Sequence, residues 1–246
     1  MRLAYRTWGD VRAPPVVLVH GLTGTSRTWW RVAPALADAG RRVVAVDLRG
    51  HGASGGATAE TTLADLAADV RETVDGRVDL VGHSLGALVG LAFAGAYPER
   101  VRRLVLEDPP STDVRLETVA DDVLASVARA RDEPERFRAE VRAENPLWPE
   151  EDVENELLGH QECEAEPVSA IVRRFRFDLL DLLAAVRTPT LLVAGLEERE
   201  SRLTGEVRVA AFGAVEAVEL DAGHVVHRDD VDGYVKTLAE FLDRTD

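Results

Sequence analysis

The stretch DLVGHSLGALVG, Asp79 to Gly90, passes from an apolar, strand-like run through Gly-His-Ser-Leu-Gly into a helix-like run. A serine between glycines at such a junction is either a nucleophile held on a sharp strand-to-helix turn or ordinary turn chemistry, and the flanking sequence decides between them. Small residues at 82 and 86 let the chain turn sharply, so that Ser84 projects above a sheet. The backbone N–H of Leu85, at the helix start, is then free to face a developing oxyanion.

Outward from this stretch, the chain alternates between two kinds of segment. PVVLV (15–19), RVVAV (42–46), VDLVG (78–82), RRLVLE (102–107) and TLLVAG (190–195) are short continuous apolar runs, the pattern of parallel strands covered on both faces. Between them, TWWRVAPALADAG, TLADLAADVRETVDG and LGALVGLAFAGAYPE have helical spacing. Thr61 or Thr62 caps the second of these and Gly76 stops it, while Pro98 ends the third. VEAVELDAG (215–223) reads as a last strand and DVDGYVKTLAEFLDR as an amphipathic closing helix. This predicts an α/β fold with a mostly parallel, doubly wound sheet flanked by helices. Residues 109–187 break the rhythm: they hold no good strand, many Arg and Glu, and helical clusters such as VADDVLASVARA and DLLDLLAAV. A structureless loop of that length is improbable in a compact domain, so the expected organisation is a core of 1–108 and 188–246 with a helical cap, 109–187, inserted between two strands.

The 246 residues suffice for one large domain, and a 46% hydrophobic fraction is that of a globular chain. A formal net charge of −15 opposes binding along a phosphate backbone, so nucleic acid is not an expected partner. Cys163 is the only cysteine and cannot form an intrachain disulfide. The start, MRLAYRTWGD, lacks the features of a secretory signal, and no run approaches the roughly 20 apolar residues of a membrane span. The expectation is a soluble, cytoplasmic bacterial protein with no membrane association.

A nucleophilic serine needs a base. His224, in LDAGHVVHRDD, follows the last strand at the sheet edge where open α/β sheets place their sites, and His227 is its nearest competitor. The third member is a carboxylate that orients the imidazole. Glu197, Glu198 and Glu200 after TLLVAG, and Asp108 in LEDPP, all fall near that edge. HGLTGT (20–25) follows the first predicted parallel strand and offers Leu22 as a second oxyanion donor. DLRGHGAS (47–54) reads as structural, with Asp47 and Arg49 fixing loops near the site.

HG at 20–21, DLRGHGAS, GHSLG, LEDPP and AGH at 222–224, in that order, make the chain resemble the α/β-hydrolase superfamily, in particular small bacterial serine hydrolases with a helical cap. The resemblance implies Ser84 as nucleophile, His224 as base, and the N–H groups of Leu22 and Leu85 as oxyanion hole. It places the acid three residues beyond the glycine closing TLLVAG, at Glu198, with Asp108 as the alternative position used by some relatives. The chain starts at what looks like the family's second strand, so about seven strands are expected. Relatives with an aspartate nucleophile, the haloalkane dehalogenases and epoxide hydrolases, do not fit Ser84.

The expected function is hydrolysis of a carboxylic ester, lactone or similar small acyl compound through an acyl-enzyme, with no metal or organic cofactor. The cap, with Trp29 and Trp30, would shape the substrate pocket. A carbon–carbon bond hydrolase or cofactor-free tailoring enzyme could use the same triad, and a non-catalytic ligand-binding protein could use the same pocket.

Overall fold

The computed structural model describes residues 1–111, 114–196 and 215–244. Its strands are β1 (Tyr5–Trp8), β2 (Pro15–Val19), β3 (Arg42–Val46), β4 (Val78–His83), β5 (Val101–Glu107), β6 (Thr190–Gly195) and β7 (Val215–Leu220). They form one seven-stranded sheet in the order β1-β3-β2-β4-β5-β6-β7. Only β1 runs antiparallel to its neighbour, pairing Tyr5 with Val46 and Trp8 with Val43; every other pairing is parallel.

The uninterrupted apolar runs follow from a sheet with two dry faces. Side chains alternate across a strand. Val16, Leu18, Val43 and Ala45 enter one cluster, with Leu36 of helix α1 (Val32–Asp38) and Tyr234, Leu238 and Phe241 of the closing helix, Val231–Leu242. Val17, Val19, Val44, Val46 and Leu80 enter the other, with Leu66 and Val70 of α2 (Leu63–Thr73) and Leu88 and Phe93 of α3 (Leu85–Ala96). Local signals set the helix ends. Thr62 accepts from the Asp65 N–H while Asp65 accepts from the Thr62 N–H, a reciprocal cap that satisfies two donors the helix leaves unpaired.

Between β5 and β6 lie five helices: α4 (Leu116–Asp132), α5 (Pro134–Glu144), α6 (Glu150–Gln161), α7 (Ala165–Arg174) and α8 (Leu179–Ala185). The first four pack on one another around two small apolar clusters, one holding Val123, Val127 and Cys163, the other Phe137, Val141 and Leu157. Burial pushes the Cys163 thiol up to about 12, so it stays a thiol and acts as packing. Leu179 and Leu183 of α8, with Ala120 of α4 and Ile171 and Val172 of α7, join the large cluster on the sheet, making the insertion continuous with the core.

At the junction of β4 and α3 backbone packs directly on backbone. A Cβ on Gly86 would lie 2.2 Å from the Val19 carbonyl oxygen, and one on Gly82 would lie 2.2 Å from the Gly86 carbonyl oxygen. Backbone cannot yield as a flexible side chain does, so Gly86→Ala is expected to lower unfolding free energy by about 2 kcal/mol or more, read by urea denaturation.

Candidate active site

The carboxyl ends of β2, β4, β5 and β6 open beneath the helical insertion into a cleft of about 450 Å³. Ser84 sits there between β4 and α3 with φ 50° and ψ −112°, a left-handed conformation that an L-residue adopts only under constraint. Among the described residues, three non-glycine residues have positive φ: Thr23 (58°), Ser84 (50°) and Asp108 (40°). All three line the cleft. Such conformations cost about 1–3 kcal/mol each and persist only where the surroundings over-determine them.

The sheet supplies the surroundings. The Ser84 N–H donates to the Glu107 carbonyl at 2.8 Å, and the Asp108 N–H donates to the Val193 carbonyl at 2.8 Å, so the turns are pinned to the neighbouring strand ends. Gly21 lets the loop after β2 pass close: a Cβ there would meet the His83 Nδ1 at 2.6 Å and the Ser84 Cβ at 3.3 Å. The N–H of Leu85 belongs to the first turn of α3, whose donors have no partner within the helix. Leu22 lines the cleft beside it.

His224 lines the same cleft from the loop after β7, and its Nδ1 lies 2.5 Å from Asp108 Oδ2. A carboxylate only accepts, so Nδ1 carries the proton of the neutral ring and Nε2 is left able to receive one. The His224 carbonyl in turn accepts from His83 Nε2 at 3.0 Å, which ties the loop after β7 to the end of β4. Ser84, His224, Asp108, Leu22 and Leu85 are thus brought to one cleft. Glu198, the position favoured from the sequence for the acid, lies outside the described residues. Of the described carboxylates, Asp108 is the one hydrogen-bonded to His224.

Trp29 and Trp30, expected to shape the pocket, do not line it. Trp29 is fully buried in the cluster it shares with Leu36 and Tyr234 and stacks on His227, with ring centroids 4.2 Å apart. Trp30 donates from Nε1 to Asp152 of α6 at 2.8 Å. Adjacent residues of one turn face opposite ways, and identity alone did not reveal which way each faces.

His227 is buried and belongs to a second polar array behind the first. Its Nδ1 donates to Glu107, at 2.8 and 3.0 Å from the two carboxylate oxygens, and its backbone N–H donates to the same carboxylate at 2.9 Å. Its Nε2 lies 2.6 Å from the Thr28 Oγ1, whose hydroxyl donates to it, and that oxygen accepts from Arg228 Nε at 3.0 Å. Burial raises the Glu107 carboxyl and pushes His227 well below the ordinary histidine range. Thr28, Glu156, His160 and Arg228 line the cleft too, and the sequence reading missed them all. No local signal marks them: the contacts that bring Arg228 to Thr28 and Glu156 span 200 and 72 residues.

Helix α6 is held to the core by charge. Asp152 pairs with Arg31, and Arg228 Nη1 donates to Glu156 Oε2 at 2.6 Å. Arg27 Nη1 donates to Glu162 Oε2 at 2.5 Å. Burial alone would raise the Glu156 carboxyl, but Arg228 and His160 hold it below the usual carboxylate range. Among the described residues no group of three or more His, Cys, Asp or Glu is arranged to hold a metal ion, and no helix is long and apolar enough to cross a membrane.

The profile of the alpha/beta hydrolase fold matches residues 14–147. The chain is 33% identical over 213 residues to the putative carbamate hydrolase RutD of Variovorax paradoxus, covering 80% of this chain and 79% of that one. Among solved structures, it is similar to the enol-lactonase of Burkholderia xenovorans (TM-score 0.77, 25% identity, 98% and 96% of the two chains). It is also similar to a thermophilic esterase of Thermogutta terrifontis (TM-score 0.77, 26% identity, 98% and 92%).

The DLRGHGAS loop is a bracket beneath this site. Asp47 accepts from the Ser26 and Ala53 N–H groups at 2.7 and 3.1 Å, and Arg49 forms a two-pronged pair with Asp69 at 2.7 Å. His51 is buried, donates from Nδ1 to the Arg49 carbonyl at 3.1 Å, and is pushed down to about 3 by burial and by nearby His20. The folded protein keeps this ring neutral while the unfolded chain protonates it near pH 6.5, so its contribution to stability is present above that pH and is lost as pH falls toward 3. Between pH 7 and pH 5 the wild-type protein should lose about 2 kcal/mol more unfolding free energy than His51→Gln, measured by urea denaturation at both pH values.

Proposed function

The chain belongs to the α/β-hydrolase fold family and is a hydrolase; from that premise we propose that it cleaves a carboxylic ester, lactone or related acyl compound through an acyl-enzyme on Ser84. The observation that carries this reading is the His224–Asp108 hydrogen bond in the cleft that also holds the constrained Ser84 turn. Similarity to an enol-lactonase and an esterase supports acyl-group chemistry.

In this mechanism His224 Nε2 takes the Ser84 hydroxyl proton as Oγ attacks the substrate carbonyl carbon. The carbonyl oxygen gains negative charge and is met by the Leu85 and Leu22 N–H groups. The tetrahedral intermediate collapses, His224 returns the proton to the leaving oxygen, and the acyl group stays on Ser84. Water then attacks the acyl-enzyme, His224 accepting its proton; the second tetrahedral intermediate collapses, His224 returns that proton to Ser84 Oγ, and the carboxylic acid leaves. Asp108 fixes the tautomer and orientation of His224 and stabilises the imidazolium without itself taking the proton. Asp108 replaces Glu198 as the proposed acid, because its carboxylate already holds Nδ1.

A fluorophosphonate probe should label the wild-type protein and leave Ser84→Ala unlabelled; equal labelling of both removes the nucleophile assignment. On a panel of p-nitrophenyl esters and lactones, Ser84→Ala should lower kcat by about 10⁴-fold or more. Asp108→Asn should lower kcat by about 10²–10⁴-fold with little change in KM, whereas Glu198→Gln should stay within about threefold. The reverse order between the two carboxylates would move the acid to Glu198.

A further inference from the structure

The cleft has a polar station that the proposed triad does not use. Arg228 is 4% exposed, yet it is part of the cleft lining. Its guanidinium is held from two sides: Nε donates to Thr28 Oγ1 at 3.0 Å and Nη1 donates to Glu156 Oε2 at 2.6 Å. Trp148 lies against the plane, 4.7 Å from Cζ to ring centroid. Nη2 has no hydrogen-bond partner among the described residues, and it is not one of the enclosed unpartnered atoms, which are Trp29 Nε1, His51 Nε2 and the Tyr234 hydroxyl. A fixed donor is thus left over on a residue of the cleft wall, while Val172, Phe175 and Phe177 make another part of that wall apolar.

The charge around this donor selects what it can take. Arg228 and Arg31 bring two positive charges; Glu156 and Asp152 bring two negative ones, with Asp152 3.7 Å from Arg228 Nε. These four groups balance one another before any ligand arrives, flanked by His160, whose Nδ1 is 3.5 Å from Glu156 Oε1, and by Asp229, which accepts from Trp148 Nε1 at 2.5 Å. A carboxylate would add a further negative charge beside Glu156, whereas a neutral oxygen accepts a hydrogen bond from Nη2 at no such cost. An all-carbon chain would leave that donor desolvated and unpaired.

We propose that Arg228 is a specificity-determining residue, selecting acyl compounds that carry a neutral acceptor oxygen, such as a ketone or amide carbonyl, away from the reacting carbonyl. This rests on the reading of the cleft as an acyl-hydrolase site, and it names the substrate class for that site. The rigid hold on the guanidinium through Thr28, His227 and Glu107 is what makes the donor's position selective rather than adaptable.

The test uses binding, so that it survives a failure of turnover. Ser84→Ala protein is titrated calorimetrically with three phenyl esters of matched length: hexanoate, 5-oxohexanoate and monophenyl glutarate. A mirrored set carries the same three termini on the alcohol portion. In at least one set the ketone should bind about tenfold more tightly than the alkyl ester, and more tightly than the carboxylate. Adding Arg228→Lys, which keeps the charge but loses the planar fork, should erase that advantage while leaving alkyl binding within about twofold. Equal binding of ketone and alkyl esters in both sets, a carboxylate bound best, no binding by any ester, or an advantage that persists in Arg228→Lys would overturn the proposal. If Arg228→Lys does not fold, the ranking in the Ser84→Ala protein decides alone. Wild-type turnover of the same esters reads the hydrolase assignment separately: ketone-selective binding without turnover sinks that assignment and not the recognition.

Discussion

Helix α3 begins where it does because two glycines let its backbone touch that of the neighbouring strand. The Val19 carbonyl occupies the space a side chain at 86 would need, and the Gly86 carbonyl occupies the space of one at 82. This contact sets the distance between the first turn of α3 and the ends of β2 and β4. Ser84 is then forced into a left-handed conformation, since the chain has one residue in which to reverse from strand to helix. The orientation of the serine is thus inherited from backbone packing rather than from any hydrogen bond of its own side chain.

The same sheet edge coordinates the remaining groups. Asp108 and Glu107 are neighbours on one strand end and point into different arrays: Asp108 meets His224 in the cleft, and Glu107 meets His227 behind it. The histidines are three residues apart on the returning chain. The strand end therefore hands one carboxylate to each ring, the outer pair lining the cleft and the inner pair buried behind it. The inner array extends through Thr28 to Arg228 and from there to α6, so the insertion and the sheet edge share one continuous polar framework.

The frame of the protein was legible because its signals are local. Continuous apolar runs follow from a sheet covered on both faces, and the strand-turn-helix context of Ser84 is written in twelve consecutive residues. The placement of His224 at the sheet edge was equally readable from the strand before it. What escaped depends on contacts between distant segments. The sequence offered both Asp108 and Glu198 as the carboxylate, and the choice between them was not written in it; the path of the returning loop brings the Asp108 carboxylate to His224. Trp29 and Trp30 are adjacent aromatics with no sequence mark telling which enters the core and which clamps α6. The sequence does not single out Arg228, because its partners, Thr28 and Glu156, stand 200 and 72 residues away.

The three left-handed side-chain-bearing residues, Thr23, Ser84 and Asp108, are spread along more than eighty positions of sequence yet border one cleft. Conformational energy is concentrated there instead of being relaxed during folding, at a combined cost of about 3–9 kcal/mol, comparable to the whole net stability of a typical domain. The two dry faces of the sheet are therefore more than a container for the cleft. They are the reserve against which its strained rim is held, and the ability of this chain to tolerate change in its core is bounded by how much of that reserve the rim already claims.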